Sequence, residues 1–328
     1  MTALKQILIG ATAALVGLAA VHAAEARPVT VATVYGARDI STQAMEKWNA
    51  LLSKATEGRL SINVIPGGTL GGDRELLQQL SSGEIDIDLS SPVVMQHVAP
   101  QYQCLEAEYI YESEDQGFRV WRGSIGHAAS DAMKAKYGIE IAAVGRRGGR
   151  EITADKPIRE PSDLQGLKFR VTNDLRARVF SAYGAQPAPL PLSELYGALR
   201  QGVFDGQENP LSTIYSLRFH EVQKYISMTN HVWTYNLVLV NSKFYQGLGK
   251  DRAAFDNTLS QAMDWLYEAV AKEDARVRAA IEKSGKATFI TPDVAAFRKQ
   301  ARPVLAAYAA ANCRAGLLDE VDTFAAKP

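Results

Sequence analysis

The sequence predicts an α/β fold of two domains lying side by side, on the basis of three observations. Segments typical of strands alternate with segments typical of helices, in one set before Gly138 and a second set after it. Such alternation favours mostly parallel sheets with helices on both faces. A long amphipathic segment then covers residues 251–283. A helix of that length spans about 45 Å, which is enough to lie across both domains.

The first 26 residues have the features of a secretory signal peptide. A lysine is followed by an apolar run at residues 7–20 and then by small residues around Ala24 and Ala26. The alternative is a membrane anchor, but the run is short for a membrane span and no positive flank follows it. We therefore expect a periplasmic protein, with no direct membrane insertion after cleavage.

The first set of elements follows this leader directly. We expect a strand at 29–34, a helix at 41–55, a strand at 60–65, a helix at 73–80 and a strand in EIDIDLS. In the last strand Ile85, Ile87 and Leu89 should point inward, because side chains alternate between the two faces of a strand.

A second set of strands and helices follows Gly138. We expect a strand ending at Val144, a strand at 167–171, a helix at 175–182, a helix N-capped by Ser193, a strand at 203–205 and a strand in NLVLVN. The helix of residues 251–283 comes next and should brace both domains.

Composition excludes some classes of partner. The chain is 47% hydrophobic, 22% charged and formally neutral, with no basic stripe or tail, which argues against nucleic-acid or membrane-surface binding. About 300 residues remain after the leader, enough for two hydrophobic cores. Cys104 and Cys313 are bound for an oxidising compartment, so they form either a disulfide or two buried thiols.

The stretch LKFRVTND places an arginine, Arg170, near the end of a predicted strand. Ligands of open α/β sheets bind beyond the carboxyl ends of the strands. Arg150 and Asn209 occupy equivalent places, after the strands predicted to end at 144 and 205. Two guanidinium groups and an amide in one cleft suit a carboxylate, because the guanidinium fork matches both carboxylate oxygens. The alternative for each residue is an ordinary solvated position.

Several runs resemble the solute-binding proteins of tripartite ATP-independent periplasmic (TRAP) transporters, the dicarboxylate-binding or DctP-like family. They are GGTLGGDRELLQQLSSGEIDI, KPIREPSDLQGLKFRVTND, GAQPAPLPLSELYGALRQGVFDGQENP, FHEVQKYISMTNHVW and ATFITPDVAAFRKQARPVLAAY. The resemblance implies a two-lobed periplasmic-binding-protein fold with a hinge, a cleft between the lobes and a long helix spanning both. The implied partners are a small-molecule carboxylate ligand and the membrane subunits of a TRAP permease.

The resemblance also implies lobe limits and ligand contacts. Lobe I would comprise residues 27–147 and about 236–275, and lobe II about 148–235 and 276–328. By similarity Arg170 holds the substrate carboxylate and Arg150 is a second arginine. The other ligand-lining candidates are Asn209, Asn173 and Leu192 in lobe II, Tyr35, Arg38, Ser90 and Ser91 in lobe I, and Trp233 and Tyr235 where the chain recrosses between lobes. Glu108 departs from the family, which commonly has a proline there.

An exported enzyme acting on an organic acid is the alternative to a receptor. It needs a general acid or base, and no histidine or carboxylate has a motif that places it in this cleft. The histidines are too dispersed for a metal site, and no cofactor is expected. Hydroxyl-bearing and polar side chains in the predicted wall favour a sugar acid such as a uronate or aldonate, with C4 dicarboxylates second and aromatic acids third.

Overall fold

The computed structural model describes residues 28–325. The predicted signal peptide of residues 1–26 lies outside the described residues. The elements of the first half are β1 (Val29–Ala32), α1 (Ile40–Ala55), β2 (Ile62–Ile65), α2 (Asp73–Ser82), β3 (Ile87–Ser90), α3 (Met95–Val98), α4 (Glu114–Arg122) and α5 (Ser124–Tyr137). This order matches the predicted alternation of strands and helices, with the 3₁₀ and helical segments after β3 added.

The second half contains three more strands than the sequence predicts. Its elements are β4 (Ile139–Ala154), β5 (Lys168–Val171), α6 (Asp174–Ala182), β6 (Gln186–Pro189), α7 (Leu192–Arg200), β7 (Gly206–Pro210), α8 (Leu211–Ser216), β8 (Tyr225–Ser227), β9 (Trp233–Asn241), α9 (Ser242–Gly247), α10 (Arg252–Ser284), β10 (Thr288–Ile290), α11 (Val294–Asn312) and α12 (Leu317–Ala325). The three additional strands are β6, β8 and β10. Pro191, not Ser193, caps α7, and Ser193 lies inside its first turn.

The strands pair in the order β2-β1-β3-β9-β4-β7-β5-β6, and β8 joins β4 to β10. Pairs within each half are parallel, whereas β4 and β9 pair antiparallel with their neighbours. We call β1 to β3 with β9 and the first part of β4 lobe I, and β5 to β8 with β10 and the last part of β4 lobe II. The α/β, two-lobed prediction is confirmed, and the exact residue limits of each lobe stay a prediction.

Strand β4 connects the two lobes. Its residues up to Gly149 pair with β9, and its residues from Arg150 onward pair with β7 and β8. The prediction that this strand ends at Val144 is therefore wrong. The register shifts between Arg146 and Gly148, and Gly148 has φ 91°, a conformation that side chains with a Cβ rarely adopt. The glycine pair thus allows one continuous strand to bend where it passes between lobes.

Helix α10 has 33 residues, about 50 Å of helix, and packs against both lobes. Phe255 meets the ring of Trp48 on α1 edge to face at 4.8 Å, and the Trp48 indole N–H donates to Thr258 at 3.1 Å. Further along, Val277 and Ile281 belong to a second buried cluster formed by lobe II. The predicted bracing helix is confirmed.

Cys104 and Cys313 form a disulfide that closes a 209-residue separation. It joins the segment before α4 to the end of α11. Because a cross-link restricts the unfolded chain, replacing both cysteines by serine should lower the free energy of unfolding by about 2–4 kcal/mol. Urea denaturation of both proteins measures this difference. Reductant should destabilise the wild type and leave the double-serine variant unchanged; equal midpoints for the two oxidised proteins would contradict the prediction.

Candidate carboxylate-binding site

Arg170 lies on β5, between β7 and β6, so it is not on an edge strand. Its side chain is 4% exposed. Nε and Nη2 both donate to the Leu190 carbonyl, at 2.8 and 2.6 Å, and Nη1 has no hydrogen-bond partner among residues 28–325. Burial lowers the pKa of Arg170 to about 10, which leaves the group charged at neutral pH. A buried cation with a free donor is prepared to bind an anion.

Arg150 and Asn209 are in strands rather than in the loops predicted for them. Arg150 is part of β4, and Asn209 is in the adjacent antiparallel β7, which begins at Gly206. Arg150 Nη2 donates to the Asn209 side-chain oxygen at 3.2 Å and to the Glu208 carbonyl at 2.7 Å. Arg150 and Arg170 lie within electrostatic range of each other. The structure therefore brings together the three side chains that the sequence singled out.

Glu208 is the counter-ion of this cluster, and no motif in the sequence singled it out. Its carboxylate accepts from Arg150 Nε, from Arg176 Nη1 at 3.4 Å and from His231 Nε2 at 3.2 Å. Burial alone would raise the pKa of Glu208, but Arg150 and Arg176 together hold it well below its usual value. Glu208 is thus ionised at neutral pH and fixes the orientation of Arg150.

His231 is buried beside Glu208 and has a structural role. Burial lowers its pKa, so the ring is neutral near pH 7. Because an ionised carboxylate only accepts, Nε2 carries the proton towards Glu208, and Nδ1 accepts from the Thr229 hydroxyl at 2.8 Å. Both ring nitrogens are occupied, which leaves no free nitrogen for acid or base chemistry.

Arg176 continues the ion pairs away from Arg150. Its Nε donates to Glu108 at 2.9 Å, Nη1 to Thr172 at 2.7 Å and Nη2 to the Glu106 carbonyl at 2.9 Å. Glu108 is the residue that departs from the family pattern. The resulting chain of contacts Glu108–Arg176–Glu208–Arg150, here called the ion-pair chain, is buried along its whole length.

Lobe I faces this cluster with polar side chains. Asp73, the first residue of α2, lies within electrostatic range of Arg170 and Arg150. Burial raises the pKa of Asp73, and Arg170 opposes that rise. Ser90 and Ser91, at the end of β3, are buried. The sequence predicted the helix that begins at Asp73 but not that its first carboxylate faces the arginines of the other lobe.

Tyr35 is buried against a network that links the lobes. The guanidinium of Arg147 stacks 3.5 Å from its ring centroid. Arg147 Nη2 contacts Asp39 of lobe I at 2.9 Å and Thr213 of lobe II at 2.7 Å, and Nη1 donates to Ser41 at 2.5 Å. Arg147 thus connects side chains of the two lobes at this point of the cleft.

Other predicted lining residues have different surroundings. Asn173 is half-buried and caps α6, accepting the Arg176 backbone N–H at 2.8 Å. Leu192 is half-buried at the start of α7, and Arg38 is exposed. From these positions the three side chains could contact only those parts of a ligand that extend beyond the buried arginine cluster.

The structure does not bring the two aromatic candidates to the arginines. Tyr235 is fully buried, its hydroxyl donates to the Glu114 carbonyl at 2.7 Å, and its ring packs near Tyr111 and Phe118. Trp233 is half-buried and lines a separate cavity beside Gly149 and α10. Core packing, rather than ligand stacking, accounts for the position of Tyr235.

Metal-binding clusters and membrane-spanning helices are both absent from residues 28–325. Within the described part of the chain, no group of three or more His, Cys, Asp or Glu side chains is placed to hold a metal ion. None of the helices in residues 28–325 is both long enough and apolar enough to cross a membrane.

Glu151, next to Arg150, should make the stability of the folded protein depend on pH. Burial raises its pKa to about 8, and its carboxylate accepts the Asn230 N–H at 3.0 Å. The folded state therefore binds this proton more tightly than the unfolded chain, whose glutamates titrate near 4.3. The stabilisation that this bound proton provides is complete below the unfolded pKa of about 4.3 and is lost progressively as the pH rises to about 8.

The free energy of unfolding should consequently fall as the pH rises from about 4.3 to about 8, by up to about 1.4 kcal/mol per pH unit, and should level off above that pH. Glu106 and Asp274, with pKa values raised by burial to about 7, contribute in the same direction at lower pH. Glu151→Gln keeps the acceptor and should flatten the curve, whereas Glu268→Gln on the exposed face of α10 should not. Urea denaturation at several pH values in this range measures the slope. An unchanged slope in Glu151→Gln would refute the assignment of the raised pKa to Glu151.

Comparison with known proteins agrees with this architecture. The family model DctP, bacterial extracellular solute-binding protein, family 7, matches residues 31–312. The solute-binding protein RD1_1052 of Roseobacter denitrificans is 34% identical over 264 residues, which are 80% of each chain.

Solved structures match over almost the whole described chain. One is a TRAP periplasmic solute binding protein from Roseobacter denitrificans with bound L-galactonate, at TM-score 0.83 and 29% identity, covering 91% of this chain and 98% of that one. Another, from Shewanella oneidensis with bound succinate, has TM-score 0.85 and 25% identity and covers 90% and 98%. A sugar acid and a dicarboxylate thus occupy proteins of this fold.

Proposed function

Because the chain belongs to the DctP family of bacterial extracellular solute-binding proteins, we propose that it is the periplasmic receptor of a TRAP transporter and binds a sugar acid. It delivers the acid to the membrane permease and does not transform it. One observation carries the proposal: Arg170 is buried, charged and has a donor, Nη1, without a partner in the described chain. A carboxylate between Arg170 and Arg150 would supply the missing acceptor.

The polar wall of lobe I favours a sugar acid over other acids. Asp73, Tyr35, Ser90 and Ser91 offer acceptors and hydroxyl groups that match ligand hydroxyls. A uronate or an aldonate carries one carboxylate for the arginines and several hydroxyls for this wall. The L-galactonate bound to the Roseobacter protein, a relative at 34% identity, supports this choice.

A C4 dicarboxylate is the second candidate, on the basis of the succinate bound to the Shewanella protein. Its distal carboxylate would need its own cation, and Asp73 on the facing wall carries the wrong charge for it.

An exported enzyme has no support in the matched proteins, which are binding proteins. Closure is driven by ligand contacts that exist only when the lobes meet.

The test is a thermal-shift screen of the mature protein against aldonates, uronates, C4 dicarboxylates and aromatic acids. A ligand at about 100 times its dissociation constant stabilises the folded state by about 2.7 kcal/mol, which is easily detected. We expect the strongest shift from a sugar acid that is recovered unchanged. Consumption of the acid would refute the receptor, and a larger shift from succinate would refute the sugar-acid preference.

A further inference from the structure

A cavity of about 150 Å³ lies between the segment that follows Ala107 and the helices α11 and α12. Glu108, Tyr109 and Ile110 line one side, and Leu305 and Leu318 line the other. A cavity of this size accommodates an organic molecule about as large as benzene. None of the residues assigned above to the carboxylate site lines it.

Glu108 gives this cavity a specific polar feature. The residue is 2% exposed, and its Oε1 accepts from Arg176 Nε at 2.9 Å. Its other oxygen, Oε2, is buried and has no hydrogen-bond partner in the part of the chain that the structure describes. A buried carboxylate oxygen without a donor is unfavourable, so a ligand that brings a donor would be bound.

The charged groups around the cavity are largely paired with one another. Three carboxyl groups, those of Glu108, Glu112 and Asp322, line it with two guanidinium groups, those of Arg298 and Arg302. Arg298 pairs with Glu112 at 2.6 Å, and Arg176, which does not line the cavity, pairs with Glu108 Oε1 at 2.9 Å. The acceptor left over is Glu108 Oε2, an oxygen of an anionic carboxylate, and a cationic N–H donor is the strongest partner for such an oxygen.

We propose that this cavity is a second ligand site, which binds a small organic ammonium ion. The N–H groups of the ion donate to Glu108 Oε2, and its short apolar body packs on Leu305 and Leu318. Ion-assisted hydrogen bonds are stronger than neutral ones, which sets an ammonium group above a hydroxyl of the same size.

The ion-pair chain couples this second site to the carboxylate site. Glu108 contacts Arg176, Arg176 contacts Glu208 at 3.4 Å, and Glu208 contacts Arg150. A cation at Glu108 weakens the hold of Glu108 on Arg176, which then interacts more strongly with Glu208. Glu208 in turn holds Arg150 less strongly, and Arg150 is freer to bind the ligand carboxylate. Amine and acid should therefore strengthen each other's binding, equally in both directions.

The experiment uses butylammonium chloride as the probe and 1-butanol as its uncharged counterpart, at matched chloride concentration. Butylammonium should raise the melting temperature of the acid-free protein, and butanol should raise it less. At saturating amine, L-galactonate, or the strongest acid of the screen, should bind about fivefold more tightly in titration calorimetry. Arg170→Met should still bind the amine, so that loss of acid binding and loss of the second site are told apart.

Two variants test whether the butylammonium shift arises from binding in this cavity. Glu108→Gln removes the charge at the buried end, and Ala306→Trp fills the cavity from an exposed position on α11 that does not touch the ion-pair chain. Both should abolish the shift caused by butylammonium. No shift in the wild type, an equal shift with butanol, or a shift that survives in both variants would refute the ammonium site at this cavity. Unchanged acid affinity in the presence of bound amine would refute the coupling.

Discussion

Replacing Arg170 by methionine is expected to abolish binding of every acid that the wild-type protein binds. Methionine keeps the apolar length of the side chain but removes the buried charge and the free Nη1 donor. Loss of one partner of a buried charged contact costs about 2–5 kcal/mol, or roughly 30-fold to several thousand-fold in affinity. Titration calorimetry at concentrations that saturate the wild type should show no binding heat.

Two variants make this result specific. Arg178→Met removes an arginine that is 60% exposed on α6 and forms an ion pair with Asp174 four residues earlier, so acid binding should stay as in the wild type. Arg170→Lys keeps the charge but not the planar fork, and should bind with intermediate affinity. The carboxylate assignment fails if Arg170→Met binds any acid with wild-type affinity while its ligand-free melting temperature shows a folded protein.

Replacing Arg176 by methionine should lower the free energy of unfolding by about 3–5 kcal/mol, because it leaves buried carboxylates without a counter-ion. Among residues 28–325, Glu108 would lose its one ion-pair partner, and Glu208 would keep Arg150 and the neutral His231. Urea denaturation of the ligand-free protein at pH 7 measures the effect. The loss should exceed that of the disulfide, because desolvated charges remain in the folded state.

A second substitution separates the charge from the packing. The double variant Arg176→Met with Glu108→Gln should recover part of the lost stability, because the buried charge that lost its ion-pair partner, that of Glu108, is gone. Arg178→Met, which breaks an exposed pair of the same type, should change stability by at most about 0.5 kcal/mol. Equal stability of Arg176→Met and the wild type would show that the ion-pair chain contributes no net stability.

Helix α10 and the alternating elements of lobe I could be predicted because their signals are local. The apolar residues between 252 and 284 recur at helical spacing, and this pattern records the face of α10 that is buried. The alternation in β3 predicted a strand, although β3 is buried on both faces. The same reasoning placed Arg170 in a strand, since Phe169 and Val171 alternate with it. These elements can be predicted without knowing which other segments they pack against.

The end of β4 could not be predicted, because its signal is not local. The run RRGGR has the charges and glycines of a loop, yet it continues the strand. Its arginines can be buried only because Asp39, 108 residues away, neutralises Arg147 and Glu208, 58 residues away, neutralises Arg150. A sequence shows the charge but not the distant counter-charge that makes burial favourable.

The sequence alone determined the α/β class, the two sets of elements and the bracing helix, since propensity and periodicity are properties of short segments. The ligand contacts of Arg170, Arg150 and Asn209 stay a prediction. Tertiary structure alone decided that Asp73 faces the arginines of the other lobe, that Glu208 orients Arg150, and that Tyr235 is a core residue. Electrostatic contacts depend on distances between side chains, and those distances exist only once the two lobes have folded against each other.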